Sequence, residues 1–546
     1  MHATNLDNGP APSLLRPGAT CWRANIATRA TLLVDGEEYF AALRTALLQA
    51  RKQILIAGWD LDSRTVLPRA AEADDIDAPE ELGELLGFIR RTRPGIQIHV
   101  VRWDYHWFYS DDREADTARR MQELGVPFHH DDCHPVTGCV HHKVVVIDGA
   151  LAFCGGIDLT HKRWDSCAHE PHDARRRDPG GNPYIPVHDT QLCVAGPIAC
   201  DMADYLHETW PATALRPERI EPAPLWPTGL HVDFHDVHVG ISRTLPASIG
   251  RGPVREIEAF YLAAIAQTHG ALYIENQYFT STRIAAAIAE QLRRRPALQG
   301  LLVGMDRPKT QAELHTMGYG RSGFCKILAE AGVIARVPLV AAFSSDVGIN
   351  VHSKLAVFDD RWLTVGSANL NRRSMGFDVE CNLILEASTL EHRNRVQQIR
   401  NRLLAEHLGM SMREVEDAIG TYGLPHLPDA AQRSRRLVRV DPQRDAAPLG
   451  PILAPIFDPE APWPSRLAQR PTSSASRWSV AVLLVAIAIG GAIGGFITGD
   501  LPLPSLVQSA LASPCKSKYM RSSAGCRKIG LPAVSAESTW PMEQRH

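Results

Sequence analysis

Residues 351–359 read VHSKLAVFD, and after six further residues the chain continues with GSAN at 366–369. Residues 141–148 (HHKVVVID) repeat this pattern, again followed after six residues by a small-residue turn, Gly155-Gly156. Each copy has a histidine, a lysine two residues later and an aspartate after four apolar residues. This repeated spacing predicts that the two copies build one active site.

The spacing within each copy is typical of a strand end. Residues i and i+2 of a strand face the same way, so His141 would project with Lys143, and His352 with Lys354. The apolar run that follows each lysine predicts a buried strand. A histidine beside a lysine is an unfavourable buried pair unless an anion lies between them, and a phosphate group meets that need.

The length of 546 residues predicts two domains, or one large duplicated domain, with additional segments. A formal charge of -3 and a pI near 6.8 give no basic footprint for nucleic acid, which disfavours a nuclease. The eleven cysteines are scattered without CxxC pairs and favour reduced thiols in a cytosolic compartment. Residues 1–18 contain no apolar run, so no signal peptide is predicted.

Residues 478–498 (WSVAVLLVAIAIGGAIGGFIT) contain no charge. At roughly 1.5 Å per residue such a helix would span the ~30 Å hydrocarbon core, which favours a membrane helix over a buried core helix. Arg466, Arg470 and Arg477 precede it, and no lysine or arginine follows within fifteen residues. The sequence thus predicts a single-pass membrane protein, in a bacterial inner membrane, with its large N-terminal part in the cytoplasm.

Helical and strand patterns alternate along the chain, which is typical of an α/β architecture. Helices are predicted at 35–50 and 80–93, and strands at 53–59 and 96–103. The second half repeats this order with a helix at 255–268 and a strand at 271–278.

The predicted organisation has six segments. They are a disordered N-terminus (1–21), a first half (22–230), a second half (231–423), a Pro/Arg-rich linker (424–477), the membrane helix (478–498) and an unstructured tail (499–546). The linker is interpreted as solvated, with contact to anionic headgroups as the alternative.

The paired HxKxxxxD copies and their glycine turns resemble the phospholipase D superfamily. Five further stretches resemble the phosphatidylcholine-cleaving branch of this superfamily. They are 155–159 (GGIDL), 163–165 (RWD), 188–189 (HD), 274–279 (IENQYF) and 369–374 (NLNRRS). The resemblance covers 22–409. It implies an α/β fold of two pseudo-twofold-related halves, each a mixed β-sheet flanked by helices, with one shared active site at their interface.

The resemblance also implies the roles of the two histidines. One imidazole attacks phosphorus in its neutral form, giving a phosphohistidine, and the other donates a proton to the leaving alcohol. His141 is assigned as nucleophile and His352 as general acid, although the sequence alone leaves the two equivalent.

Phosphate binding is expected from Lys143, Lys354 and Asn369, with close backbone approach at Gly156 and Ser367. This scheme requires neither a metal nor a cofactor.

Each histidine also needs a carboxylate to hold its tautomer. Glu380 is predicted for His352 and Asp189 for His141, the alternative being that both are surface acids. Asp148 and Asp359 complete the motifs and are interpreted as structural turn residues behind the site.

Two other clusters allow rival interpretations. Residues 129–134 (HHDDCH) look like metal ligands, but contiguous side chains cannot all reach one ion, so a polar loop is preferred. The aromatic run 103–109 is expected to line a substrate entrance or to pack in the core.

Hydrolysis of a phospholipid to phosphatidic acid is the leading function, and transfer of the phosphatidyl group, as in cardiolipin synthases, is the alternative. A nuclease ranks third. The expected partners are a phospholipid substrate, a membrane, and water or an alcohol as acceptor, with no nucleic acid.

Overall fold

The structure is a computed structural model that describes residues 12–69, 77–104, 112–135, 138–247, 252–430, 433–441, 444 and 447–461. The predicted membrane helix and tail lie outside the described residues, as do residues 105–109 of the aromatic run and 462–477 of the predicted linker.

The described part of the first half contains eight strands and four helices. The strands are β1 (Arg23–Val34), β2 (Gln53–Gly58), β3 (Gln97–Trp103), β4 (Phe128–Asp131), β5 (Val144–Ile147), β6 (Leu151–Gly155), β7 (Val187–His188) and β8 (Thr190–Ala195). The helices are α1 (Asp35–Gln49), α2 (Leu82–Thr92), α3 (Asp112–Glu123) and α4 (Pro197–Thr209).

The second half follows the same order with additions. Its strands are β9 (Phe234–Leu245), β10 (Val254–Arg255), β11 (Ala271–Asn276), β12 (Gln299–Gly304), β13 (Leu339–Ser344), β14 (Val347–Gly348), β15 (Asn350–Val351), β16 (Lys354–Phe358), β17 (Trp362–Gly366), β18 (Glu380–Glu386) and β19 (Arg435–Arg439). Its helices are α5 (Glu256–Gln267), α6 (Thr282–Arg294), α7 (Gln311–Glu313), α8 (Tyr319–Glu330), α9 (Arg372–Gly376), α10 (Leu390–Leu408), α11 (Met412–Tyr422), α12 (Leu427–Ala430) and α13 (Gly450–Phe457). Short 3₁₀ turns lie at Ile334–Arg336 and Leu424–His426, and a π turn at Leu314–Gly318.

The strands of the two halves join in one mixed sheet. Its neighbour order is β19-β13-β12-β11-β16-β17-β18-β9-β1-β8-β6-β5-β2-β3-β4. From β1 and β9 outward the two sides match for seven strands each, including the parallel pairs β2–β3 and β11–β12, and β19 is an additional strand of the second half. The predicted fold class, two related α/β halves with mixed sheets and flanking helices, is confirmed.

The elements predicted next to the motifs form where the apolar patterns place them. The helix predicted at 35–50 is α1, the strand at 53–59 is β2, and in the second half 255–268 is α5 and 271–278 begins with β11. Strands β2, β5 and β16 are buried along their whole length because both faces of the sheet are covered.

Three large apolar cores hold the sheet. One lies under α1 and α2 in the first half, and a second lies under α5, α6 and α8 in the second half. The third contains residues of β1, β8, β9 and β18 together with α4 and α10, so it is shared by both halves. The pairing of β1 with β9 therefore continues the interior of one half into the other.

Part of the predicted linker is built into the second half. Strand β19 pairs antiparallel with β13, which buries Leu437 to 2% exposure. Further on, the buried Asp458 accepts hydrogen bonds from the Thr280 hydroxyl and from the Arg373 amide. Leu437 and Asp458 thus attach part of the predicted linker to the second half, although its composition alone predicts that it is solvated.

The predicted membrane localisation is corrected by the described residues, since none of their helices is both long enough and apolar enough to cross a bilayer. Helix α10 reaches nineteen residues but carries charges along its length, including Arg393, Arg400 and Arg402. The segment 478–498 lies outside the described residues. A single-pass membrane protein with a cytoplasmic catalytic part is therefore not retained.

Candidate active site

The two histidine-lysine pairs lie at equivalent strand ends of the sheet. His141 and Lys143 immediately precede β5, whereas His352 follows β15 and Lys354 is the first residue of β16. Lys143 is 3% exposed and Lys354 is fully buried. Two buried lysine side chains thus lie next to two histidines in the interior of the protein.

Each histidine is held by a carboxylate from the opposite half. His141 Nδ1 donates to Glu380, lying 3.0 Å from both carboxylate oxygens, and His352 Nδ1 donates to Asp189 Oδ2 at 2.6 Å. The main chains cross in the same way, because the His141 amide donates to the Val379 carbonyl at 2.8 Å and the His352 amide to the His188 carbonyl at 2.7 Å. The site therefore exists only where the halves meet.

The carboxylate partners are exchanged relative to the sequence prediction. Glu380 serves His141 and Asp189 serves His352, because the chain before each histidine pairs across the interface, through a bridge between Val140 and Val379 and through β7 with β15. Glu380 is fully buried and Asp189 is 1% exposed, so neither is a surface acid.

The two lysines have different neighbours. Lys143 Nζ donates to the His141 carbonyl at 2.7 Å, lies 3.4 Å from Asp158 Oδ2 and faces the ring of Trp59, whose centroid is 5.7 Å away. Lys354 Nζ donates to the His352 carbonyl and to Gln277 Oε1 at 3.1 Å. The Lys143 ammonium group therefore lies beside an acid and an indole ring, whereas the Lys354 ammonium group lies beside an amide.

Asp158 and Asn369 occupy the same place in the two halves, three residues after the first glycine of each turn. Asn369 is 3% exposed, and its Oδ1 has no hydrogen-bond partner. Asp158 Oδ2 also lacks a hydrogen-bond partner, although Arg163 NH2 lies 3.9 Å away in addition to Lys143. Sequence reasoning singled out Asn369 and missed Asp158, which the alignment of the two turns could have identified.

Gly156 and Ser367 do not offer their amides to a phosphate. The Gly156 amide donates to the Thr190 carbonyl at 3.0 Å, and the Ser367 amide donates to the Cys381 carbonyl at 3.0 Å. A Cβ at Gly156 would lie 2.1 Å from Asp189 Oδ1, and the Ser367 hydroxyl donates to Glu380. The prediction is corrected: these small residues accommodate and orient the two carboxylates.

Asp148 and Asp359 lie at the far ends of β5 and β16. Asp148 accepts backbone hydrogen bonds from residues 51–53 at 2.7–2.9 Å, and Asp359 accepts the equivalent three from residues 269–271 at 2.7–2.9 Å. Both have left-handed backbone conformations, with φ of 52° and 51°. These contacts favour the interpretation of both aspartates as turn residues that fix the start of β2 and β11.

Burial and charge act differently on the two histidines. Burial lowers the pKa of His141, and Glu380 offsets only part of this effect. Burial together with Lys354, Arg163 and Lys309 holds the pKa of His352 well below its ordinary range. Both rings are therefore neutral in the free protein at pH 7.

The charged partners respond to the same environment. Burial lowers the pKa of Lys354 to about 7, with Lys143 and Arg163 adding to the effect. Burial raises the pKa of Asp189 to about 6. For Glu380, His141 and the hydrogen bonds from His141 and Ser367 outweigh burial, so its pKa is lowered.

The run 129–134 does not gather into a metal-binding set among the described residues. His134 accepts a hydrogen bond from the Trp103 indole at 2.9 Å, and Trp103 stacks on Trp59 with 5.9 Å between ring centroids. Close groups of potential ligands lie elsewhere, at Asp35, His169, His188 and Glu406 and at His188, Glu275 and His407. Sequence reasoning missed these groups because their members are far apart in the chain.

The chain is similar to several known proteins. Residues 261–403 match the family described as "Cardiolipin synthase, PLD-like domain". Phospholipase D A of Dictyostelium discoideum is 25% identical over 469 residues, covering 69% of this chain and 35% of that protein. Cardiolipin synthase B of Escherichia coli K12 is 23% identical over 380 residues, covering 67% of this chain and 77% of that protein. The chain thus spans about a third of the first relative and about three quarters of the second.

Among solved structures, phosphatidylserine synthase of Haemophilus influenzae matches with a TM-score of 0.49 at 13% identity, covering 72% of this chain and 92% of that chain. The matched region 261–403 contains His352, Lys354, Asn369 and Glu380, which form the second-half side of the site. Residues 261–403 thus resemble a PLD-like domain, and phospholipase D and cardiolipin synthase are among the proteins to which the chain is similar.

Proposed function

We propose that this protein is a phospholipase D-type phosphodiesterase that hydrolyses a phospholipid to phosphatidic acid and its headgroup through a phosphohistidine intermediate. The observation that supports it most is the pair of histidines whose Nδ1 atoms are each held by a carboxylate of the opposite half. Because the carboxylate accepts from Nδ1–H, each ring has Nε2 left for chemistry at the phosphate.

In the first step His141 Nε2 attacks phosphorus. A P–N bond forms, the bond from phosphorus to the headgroup oxygen breaks, and His352 Nε2–H donates its proton to that oxygen. The lowered pKa of His141 keeps it neutral and nucleophilic. His352 must be protonated for this step, and the negative charge of a bound phosphodiester favours its protonation by offsetting the neighbouring cations.

In the second step water attacks phosphorus and the P–N bond breaks. His352 accepts a proton from the water, and phosphatidic acid leaves. Lys143, Lys354 and the Asn369 amide would stabilise the nonbridging oxygens as charge builds on them, a kind of contact commonly worth ~3 kcal/mol per donor.

Phosphatidyl transfer is the second candidate function. The match of residues 261–403 to the PLD-like domain of cardiolipin synthases favours it, and the hydroxyl of a glycerol headgroup can capture the same phosphohistidine in place of water. The substrate would then be both donor and acceptor.

Incubation of the purified protein with labelled phosphatidylcholine in detergent micelles and ethanol tests the proposal. Phosphatidic acid and phosphatidylethanol are the expected products, because ethanol competes with water for the intermediate. With phosphatidylglycerol as the sole lipid, a transferase would instead release glycerol and form cardiolipin. Cleavage of a nucleic acid without any lipid turnover would refute both functions.

The roles of the two histidines are tested with a phosphatidyl ester of p-nitrophenol, whose leaving group needs no proton. His352→Ala should still form a labelled phosphoenzyme from this ester, whereas His141→Ala should form none. Formation of a phosphoenzyme by His141→Ala but not by His352→Ala would show that the two roles are the reverse of those proposed.

A further inference from the structure

A buried cluster of ionisable side chains, here called the buried clamp, lies directly behind Asp189 and has no part in the proposed mechanism. Every member is 7% exposed or less, and most are fully buried. Its members are Asp35, Asp165, His169, Arg176, His188, Glu275, Glu406 and His407.

Two histidines of the buried clamp contact carboxylates through both ring nitrogens. His188 lies 2.8 Å from Glu406 through Nδ1 and 2.9 Å from Glu275 through Nε2. His169 lies 2.9 Å from Asp165 through Nδ1 and 3.0 Å from Glu406 through Nε2. A ring with a carboxylate oxygen at hydrogen-bond distance on each side is satisfied only when both nitrogens carry protons.

The surrounding charges favour the same protonation state. Burial alone would lower the pKa of both rings, but Asp35, Asp165 and Glu406 raise the pKa of His169 to about 9. Glu275, Glu406 and Asp35 hold the pKa of His188 well above its ordinary range. Arg176 donates to Asp165 at 2.8 Å, and His407 contacts Glu275 at 3.0 Å, which completes the groups around the two rings.

The charges of the buried clamp are divided between the halves. Both imidazolium rings belong to the first half, whereas Glu275 on β11 and Glu406 on α10 belong to the second. Opposite charges therefore attract across the interface in an environment of low dielectric, where such attraction is strong.

The buried clamp is bonded directly to the peptide that carries Asp189. The Asp35 amide donates to the Asp189 carbonyl at 2.8 Å, and the Asp189 amide donates to Asp35 Oδ1 at 3.1 Å. The neighbouring residue, His188, accepts the His352 amide and pairs with Val351. Both partners of the Asp189–His352 hydrogen bond are thus positioned by the same cluster.

Among the described residues the other histidine is supported differently, with the Arg373–Asp378 ion pair two residues before Glu380. Val379 stands before Glu380 where His188 stands before Asp189, and it packs in a small apolar cluster with Trp103 and Cys139. The carboxylates that hold the two active-site histidines are therefore supported by chemically different groups.

We infer that the buried clamp is a positioning device, in which His188 and Glu406 fix the Asp189–His352 pair in the geometry for proton donation and leave the His141–Glu380 pair largely unaffected. The inference rests on the proposed function, since it concerns the residue assigned there as proton donor.

Glu406→Gln tests the inference because it removes one charge and keeps the shape of the side chain. Glu391→Gln, exposed on the same helix, is the matched control. With a phospholipid whose leaving group is an alkyl alcohol, kcat should fall about 10- to 100-fold at unchanged KM, as for other residues that orient a reactive group through a neighbour. With the p-nitrophenol ester, the burst of nitrophenol that accompanies phosphoenzyme formation should slow by less than about 3-fold, because this step needs no proton from His352. Equal losses on both substrates would overturn the inference.

A second measurement does not depend on activity. A histidine whose folded pKa is raised contributes stability below its unfolded pKa and loses it as pH rises through the folded value. The melting temperature of Glu406→Gln should therefore lie below wild type at pH 7, and the gap should narrow as the pH rises through about 9, where His169 loses its proton. A constant gap would refute the protonated clamp, and Glu391→Gln should show no gap. If Glu406→Gln does not fold, Glu275→Gln is measured in the same way.

Elemental analysis distinguishes protonated histidines in the buried clamp from histidines that bind a metal ion there. One equivalent of zinc in the purified protein, lost in Glu406→Gln, would overturn the protonated clamp, because both ring nitrogens that face Glu406 would then be metal ligands. If the wild type turns over no phosphodiester, the proposed function fails, and the melting series still decides whether the clamp exists.

Discussion

The His141 side and the His352 side of the active site follow the same chain path but present different chemistry. On the His141 side, Lys143 lies beside Asp158 and Trp59, and Glu380 accepts from the Ser367 hydroxyl. On the His352 side, Lys354 lies beside Gln277, Asn369 replaces the acid, and the buried clamp supports Asp189. The duplicated fold thus places two imidazoles at equivalent positions and surrounds them with different neighbours.

The largest effect is expected from the two carboxylates. Glu380→Gln and Asp189→Asn should each lower kcat on phosphatidylcholine by on the order of 10³-fold, because the amide no longer selects the required tautomer. If the roles are as proposed, Glu380→Gln also slows phosphoenzyme formation from the p-nitrophenol ester, whereas Asp189→Asn largely spares it. Rapid-quench measurement of the labelled enzyme distinguishes the two, with the exposed Glu290→Gln as control.

The second prediction concerns pH. Because the pKa of Lys354 is lowered to about 7, this side chain is charged below that pH and loses its proton above it. For the p-nitrophenol ester, whose leaving group needs no proton from His352, kcat/KM should therefore fall by about tenfold per pH unit above roughly pH 7, as the charged form that binds phosphate is depleted.

Lys354→Arg is the variant that isolates this group, since arginine stays charged throughout the range. It should lower activity overall and abolish the alkaline fall, whereas Lys143→Arg should keep the fall. An unchanged alkaline limb in Lys354→Arg would assign the limb to another residue.

The smallest effects are expected from exchanging Asp158 and Asn369. Asn369→Asp adds a negative charge where the phosphate is expected and should raise KM by about tenfold. Asp158→Asn removes the acid beside Lys143 and should lower KM a few-fold. Steady-state kinetics of both single variants and of the double variant test this, and equal effects of the same sign would show that the two positions are not equivalent.

The local parts of the fold were predictable because local patterns determine them. Alternating apolar runs located α1, β2, α5 and β11, and the motif spacing placed each histidine beside its lysine at the end of a buried strand.

What sequence reasoning missed depends on distant pairing. Glu380 follows His352 closely in the chain and was therefore assigned to it, but the β7–β15 pairing and the Val140–Val379 bridge give it to His141, 239 residues away. The buried clamp draws its residues from four helices or strands and one loop, so no window of sequence contains it. The composition of the linker also predicted wrongly that its start is solvated. Burial of one leucine in β19 has a larger effect there than the arginines around it.

The crossing of carboxylates between the halves has a consequence for synthesis of the protein. The partners of the His141–Glu380 and His352–Asp189 hydrogen bonds are separated by 239 and 163 residues. The central strand β1 can complete its pairing only after β9 has been made. A chain emerging from the ribosome can fold its first half early, but it holds His141 without its carboxylate until residue 380 has been made. Translation of the second half therefore sets the moment at which His141 and Glu380 can first pair.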